Sequence, residues 1–162
     1  MFGYLVTGVS QVFFPHERIG RNGKTFTLWK FRTLSFDTKK NLQERRFRWG
    51  TILRFTNLDE LPQLWNVLRG EMSLVGPRPL PVEYASLFSD EHNKRHQVLP
   101  GITGLAQISG KNDLSWSDKF RLDIEYVNNV SFLLDIKILI KTLILAVSFR
   151  KDTSLSEEKF TG

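Results

Sequence analysis

The sequence predicts an α+β fold, a mainly helical single domain carrying one short β-hairpin. Three observations predict it. Apolar residues recur at helical spacing in residues 61–68, 116–128 and 131–149, while strand-type alternation shows in residues 26–32, next to an Asn-Gly turn. The length of 162 residues, 41% of them hydrophobic, suffices for one buried core and argues against disorder.

At the N-terminus, residues 2–14 (FGYLVTGVSQVFF) carry no charge but fall short of the about 20 residues that cross a bilayer. They lack the positive leader and small-residue cleavage site of a signal peptide, and by themselves read as a buried strand or helix tail. The run from Glu17 to Lys24 is a turn, since Asn22-Gly23 favours the positive φ angles of a hairpin, and strands are expected on both sides. In the second strand Phe26, Leu28, Lys30 and Arg32 share one face, and Thr27, Trp29 and Phe31 the other. Two cations therefore project side by side, either as a solvated strand edge or as a phosphate contact. Residues 37–49 form a charged run, read as a solvated loop or short helix whose basic residues can face lipid headgroups.

A helix follows from Leu61, Leu64, Trp65 and Leu68, with Pro62 in its first turn and Gly70 just past its end. His92 and His96 lie four apart on a further expected helix, at a metal-ligand spacing. No Glu accompanies them in an HExxH arrangement, so a zinc site is not expected. Pro100 to Gly104 is a turn, after which Ser115 or Ser117 caps a helix to about Asn128 with Trp116, Phe120, Ile124 and Val127 as its stripe. Asp123 borders that stripe and must be partnered, which favours a structural salt bridge over chemistry. Residues 131–149 resemble a membrane helix until Asp135, Lys137 and Lys141 are counted, because each charge costs roughly 2.5–3.5 kcal/mol at a bilayer centre. An interfacial amphipathic helix, or a plain core helix, fits better. From Arg150 the chain turns polar, which divides it into a domain over 1–150 and a tail over 151–162.

The net charge is +6 and the isoelectric point about 9.7, which calls for an anionic partner: nucleic acid, phospholipid headgroups or a diphosphate substrate. The absence of cysteine rules out a disulfide framework and a thiolate metal site.

Chemistry concentrates in NLDELPQLWNVLRGEMSLVGPRPLP, residues 57–81. Asp59 and Glu60 sit at the expected helix start, where free N–H groups favour the ionised carboxylate. Asn57-x-x-Glu60 also resembles a capping box, the ordinary use of such residues. What raises the chemical reading is Gly76-Pro77-Arg78-Pro79, in which two prolines fix the backbone around one arginine suited to phosphate or carboxylate.

DELPQLWNVLRGEMSLVGPRP, with KFRTL upstream and RHQVLPGITGLAQISGK downstream, resembles the bacterial sugar transferases, monotopic phosphoglycosyl transferases of the inner membrane. The match runs over roughly residues 11–145. The resemblance implies transfer of a sugar-1-phosphate from a UDP-sugar to undecaprenyl phosphate with Mg2+, on the cytoplasmic face of the bacterial inner membrane. It implies an Asp59-Glu60 dyad that is catalytic and holds the metal, and substrate or phosphate contacts from Lys30 and Arg32 of KFRTL and from Arg78. Asp123, from its place on the stripe, is kept as a supporting residue. It also implies an N-terminal segment that enters the membrane and returns, of which residues 1–14 are a remnant with most of the segment missing from this sequence. An anionic membrane surface is the expected neighbour. A nucleic-acid module, suggested by aromatics among cations in WKFR and RFRW, is the rival, but no RNP1 run or C2H2 spacing supports it and nucleic acid is not expected as a partner. An inactive membrane-associated partner of a sugar transferase is the other alternative.

Overall fold

The computed structural model describes residues 11–37, 39, 41, 44–110, 113–147 and 160–161. Residues 1–10, most of the expected membrane remnant, lie outside them, as does most of the tail.

The fold is mixed helix and sheet. Strands β1 (Phe13–Ile19) and β2 (Thr25–Phe31) pair antiparallel, from Phe13 opposite Phe31 to Ile19 opposite Thr25. Phe13 and Phe14, the last residues of the uncharged N-terminal run, open β1 and are exposed. The Asn-Gly turn forms as expected, with φ of 56° at Asn22 and 74° at Gly23. Helix α1 (Arg48–Phe55) follows, at the C-terminal edge of the charged run, and buries Leu53 against Val12, Phe31 and Phe47. The sequence reading offers a loop or short helix over residues 37–49 and assigns nothing to residues 50–55, where a single buried leucine leaves little periodicity to detect.

A 3-10 turn, Leu58–Glu60, leads into α2 (Gln63–Leu68), and Gly70 at φ 72° ends it. Its orientation reverses the usual one. Gln63 and Asn66 are buried at 2% and 0% exposure, whereas Leu61, Leu64, Trp65 and Leu68 of the expected stripe are 44–79% exposed. The cause is a hydrogen-bond network: the Asn66 amide donates to Thr27 O at 2.8 Å and to Glu71 Oε2 at 2.7 Å, and its oxygen accepts from the Trp29 N–H at 3.3 Å. Asn66 thus extends the β2 edge like one more rung, and buried polar groups satisfied in this way hold the polar face inward.

A second small sheet is parallel, joining β3 (Ser73–Val75) to β4 (Gly101–Thr103). Its backbones pack too closely for side chains at the crossing. A Cβ on Gly76 would lie 2.4 Å from Leu99 O, and one on Gly101 2.1 Å from Gly76 N. Between these strands, the helix expected around His92 and His96 is split into α3 (Asp90–Asn93), capped by Ser89, and a 3-10 turn, Lys94–Gln97. Helix α4 (Leu105–Ser109) precedes α5 (Trp116–Asn128), whose cap is Ser115, accepting from the Asp118 N–H at 3.1 Å.

Helix α6 (Phe132–Val147) has one face in the core, where Ile138 meets Val75 and Tyr126. The Thr142 and Thr103 hydroxyls are hydrogen-bonded at 2.7 Å, and the Tyr126 hydroxyl donates to Asp135 at 2.8 Å. The opposite face leaves Phe132, Leu133, Ile136, Ile140, Leu143 and Ile144 exposed, with Lys137 and Lys141 beside them. No helix among the described residues is long and apolar enough to cross a membrane. A further cluster gathers Leu80 and Phe120 with Tyr84, Phe88 and Trp116, and Phe160, from the otherwise polar tail, is buried in it.

Candidate active site

The hairpin, the turn before α2 and the GPRP loop meet at Glu60. Asn57 begins the turn in the left-handed region (φ 56°), a conformation asparagine tolerates, and its N–H closes α1 by donating to Arg54 O at 3.1 Å. The expected capping box is therefore absent: Asn57 makes no side-chain cap, and the Glu60 carboxylate turns the other way. Lys30 Nζ donates to Glu60 Oε1 at 2.7 Å, and Arg78 Nη2 donates to the same oxygen at 3.0 Å. These three residues lie far apart in sequence, and charge pairing joins them.

Electrostatics separates the two carboxylates. Burial opposes ionisation of Glu60, but Arg78 and Lys30 outweigh it and hold the group well below the usual carboxylate range. Asp59, the neighbour, makes no hydrogen bond or ion pair among the described residues. Burial pushes its carboxyl up to about 6, against the pull of Lys30. Asp59 stays mostly ionised near pH 7, as expected, but a helix terminus is not the cause. Helix α2 starts only at Gln63, so the dyad precedes its first turn, and burial prevails.

Behind Arg78 stands a buried ion pair. Arg95 Nε and Nη2 donate to Asp123 Oδ2 at 3.0 and 2.6 Å, and Arg95 Nη2 also donates to Arg78 O at 2.7 Å. Asp123 is thus partnered, as its place on the stripe requires, and bears on the site through Arg95. Arg32 is placed elsewhere on the hairpin: it donates to Gln11 O and Oε1 at 3.2 Å, with its guanidinium 4.1 Å from the Phe36 ring centroid. The next residue, Thr33, is buried and accepts from Arg54 Nε at 2.6 Å, and Arg54 is a further cation acting on Asp59.

Arg18, Arg54, Gln63, Asn66 and Arg95 were not singled out in the sequence. Only Arg18 had a usable signal, since pairing the two strands across the Asn-Gly turn puts it on the Lys30 face. The two histidines are apart in role. His92 stacks on Phe120 at 4.1 Å between centroids, and burial lowers the His96 imidazole to about 4.

Among the described residues no group of three or more His, Cys, Asp and Glu side chains could hold a metal ion. The adjacent carboxylates do fit Mg2+ of the kind held by one or two carboxylates and completed by substrate phosphates. Both cations on Glu60 use Oε1, which leaves Oε2 for such a role.

A family described as "Bacterial sugar transferase" matches residues 3–149. The chain is similar to an "Uncharacterized sugar transferase EpsL" of Bacillus subtilis, 47% identical over 94% of this chain and 80% of that protein. It is also similar to a "UDP-galactose-lipid carrier transferase" of Erwinia amylovora, 40% identical over 80% of this chain. An "Undecaprenyl-phosphate galactose phosphotransferase" of Salmonella typhimurium is 38% identical over the same share. The matched region spans 32% of the length of each of these last two relatives.

Proposed function

The chain belongs to the bacterial sugar transferase family, and from that premise we propose that it moves a sugar-1-phosphate from a UDP-sugar to undecaprenyl phosphate through an ester on Asp59. The names of the Erwinia and Salmonella relatives suggest the donor and acceptor classes. The observation that carries the reading is the division between the carboxylates. Glu60 is neutralised by two cations, while Asp59 beside it is half-buried, unpaired among the described residues and titrates near 6. A carboxylate without a competing ion pair is free to attack, and one with a raised pKa is the better nucleophile.

In the first half-reaction an Asp59 carboxylate oxygen bonds to the β-phosphorus of the UDP-sugar. The bond from that phosphorus to the bridging oxygen breaks, and UMP leaves with the electron pair. In the second, an oxygen of undecaprenyl phosphate bonds to the same phosphorus and the Asp59 ester bond breaks, which returns the carboxylate. Lys30 and Arg78 face the developing phosphate charge while Glu60 keeps them in place. Mg2+, held by Glu60 and Asp59 together with donor phosphate oxygens, would neutralise charge that otherwise repels the attacking anion.

A lipid acceptor also gives the exposed apolar faces of α2 and α6 a purpose, because large patches of this kind mark membrane or partner contacts. The cytoplasmic face of the bacterial inner membrane, with its anionic surface, is the setting this reading requires.

Intact-protein mass spectrometry with UDP-sugar and Mg2+, without lipid, tests the intermediate. Wild type should gain the mass of one phosphosugar and Asp59→Asn none. Labelling of Asp59→Asn, or an unlabelled wild type that still transfers phosphosugar to lipid, would sink the assignment.

A further inference from the structure

We propose that Arg18 is a third phosphate-binding cation of this site, gripping a substrate phosphate in the cleft it lines with Leu28, Lys30, Gln63, Arg78 and Pro79. The inference rests on the transfer reading above, which is what brings phosphates to the cleft.

Its placement follows from strand register. Arg18 pairs with Phe26, His16 with Leu28 and Phe14 with Lys30, so these side chains share one face of the hairpin. Its chemistry is that of a cation without a counter-ion. Arg18 Nη1 donates to Pro79 O at 3.3 Å, while Nε is buried without a hydrogen-bond partner. No carboxylate forms an ion pair with it among the described residues. Burial, reinforced by the Arg78 cation, pulls the guanidinium down to about 10, and Glu83 and Glu60 offset this only in part. A desolvated charge in that state is costly unless an anion arrives to meet it.

Lys30 and Arg78 are both engaged with Glu60, whereas Arg18 is committed to no protein carboxylate. A substrate phosphate at the mouth of this small pocket would meet Arg18 as the cation with least to give up, and the guanidinium fork matches phosphate oxygens. Bracing of the GPRP loop does not depend on the guanidinium alone, since the Ile19 N–H donates to Leu80 O at 3.0 Å just beside it.

Calorimetric binding to the whole chain tests this, with UMP against uridine and a short-chain polyprenyl phosphate against its alcohol, all in one detergent. Arg18→Gln should weaken at least one of the two phosphates by about tenfold or more, the equivalent of one charge-assisted hydrogen bond, and leave uridine and the alcohol unchanged. Arg18→Lys, which keeps the charge and loses the fork, should fall between, and it carries the test if Arg18→Gln folds poorly. Whichever phosphate responds tells whether Arg18 holds the leaving group or the acceptor. Unchanged binding of both phosphates overturns the inference and leaves the transfer reading intact, and so does an equal loss of uridine and UMP, which would mean that Arg18 only braces the loop. A wild type that binds neither phosphate overturns the transfer reading and this inference together.

Discussion

Asp59 must lose its proton to attack, and its carboxyl titrates near 6 because burial penalises the charge. Ester formation at saturating donor should therefore fall by about tenfold from pH 7 to pH 5, a step that single-turnover kinetics would resolve. Stability should move the opposite way. A folded-state pKa above the ordinary carboxylate value means that the folded chain prefers the protonated acid, so the associated stability is present at low pH and lost as pH rises through about 6. Asp59→Asn carries no charge to bury and should melt above wild type at pH 8, with the gap closing as the pH falls from about 6 into the ordinary carboxylate range. A gap independent of pH would mean that burial does not set the Asp59 pKa. The dyad, Lys30 and Arg78 are legible in the sequence as motif residues. Their pairing is not, because Glu60 chooses partners 30 and 18 positions away that local spacing does not connect. Arg32 shows the same limit: period-2 alternation puts it beside Lys30, but it lies beyond the end of β2 and joins Gln11 and Phe36.

Among the described residues, two helices carry apolar faces that meet no core. Periodicity reveals the stripe of α2 but not its direction, which is decided by the bonds of Asn66 to the edge of β2. For α6 the core expectation holds at Ile138, and the exposure of Leu143 and Ile144, 68% and 59%, leaves an apolar face of the kind an interfacial helix needs. Its neighbouring lysines would each contribute about 1 kcal/mol at an anionic surface. Flotation with anionic vesicles at low salt should carry wild type upward. Replacing Leu143 and Ile144 by Ser should reduce flotation several-fold while changing stability by less than about 0.5 kcal/mol each, the usual range for surface sites. Unchanged flotation would assign membrane contact to another face, and a large fall in melting temperature would show these residues to be covered.

Across the whole molecule, the site depends on a polar relay from the helical half to the hairpin half. Asp123 on α5 holds Arg95, Arg95 holds the Arg78 carbonyl, and the Arg78 side chain reaches Glu60, which also binds Lys30 from β2. The sequence marks Asp123 as needing a partner but does not name Arg95, because that contact spans 28 positions and two elements. Stability and positioning can be separated here. Asp123→Leu leaves a buried guanidinium unpaired and should destabilise by about 3–5 kcal/mol, whereas Asp123→Leu with Arg95→Met removes both charges and should recover most of that loss. If the pair served the fold alone, the double variant would regain activity with its melting temperature. The relay predicts otherwise, because methionine offers the Arg78 carbonyl no donor and the GPRP loop loses a 2.7 Å anchor. Release of UMP from the UDP-sugar should stay well below wild type in a double variant that melts normally, and full activity in that variant would remove Arg95 from the positioning of Arg78.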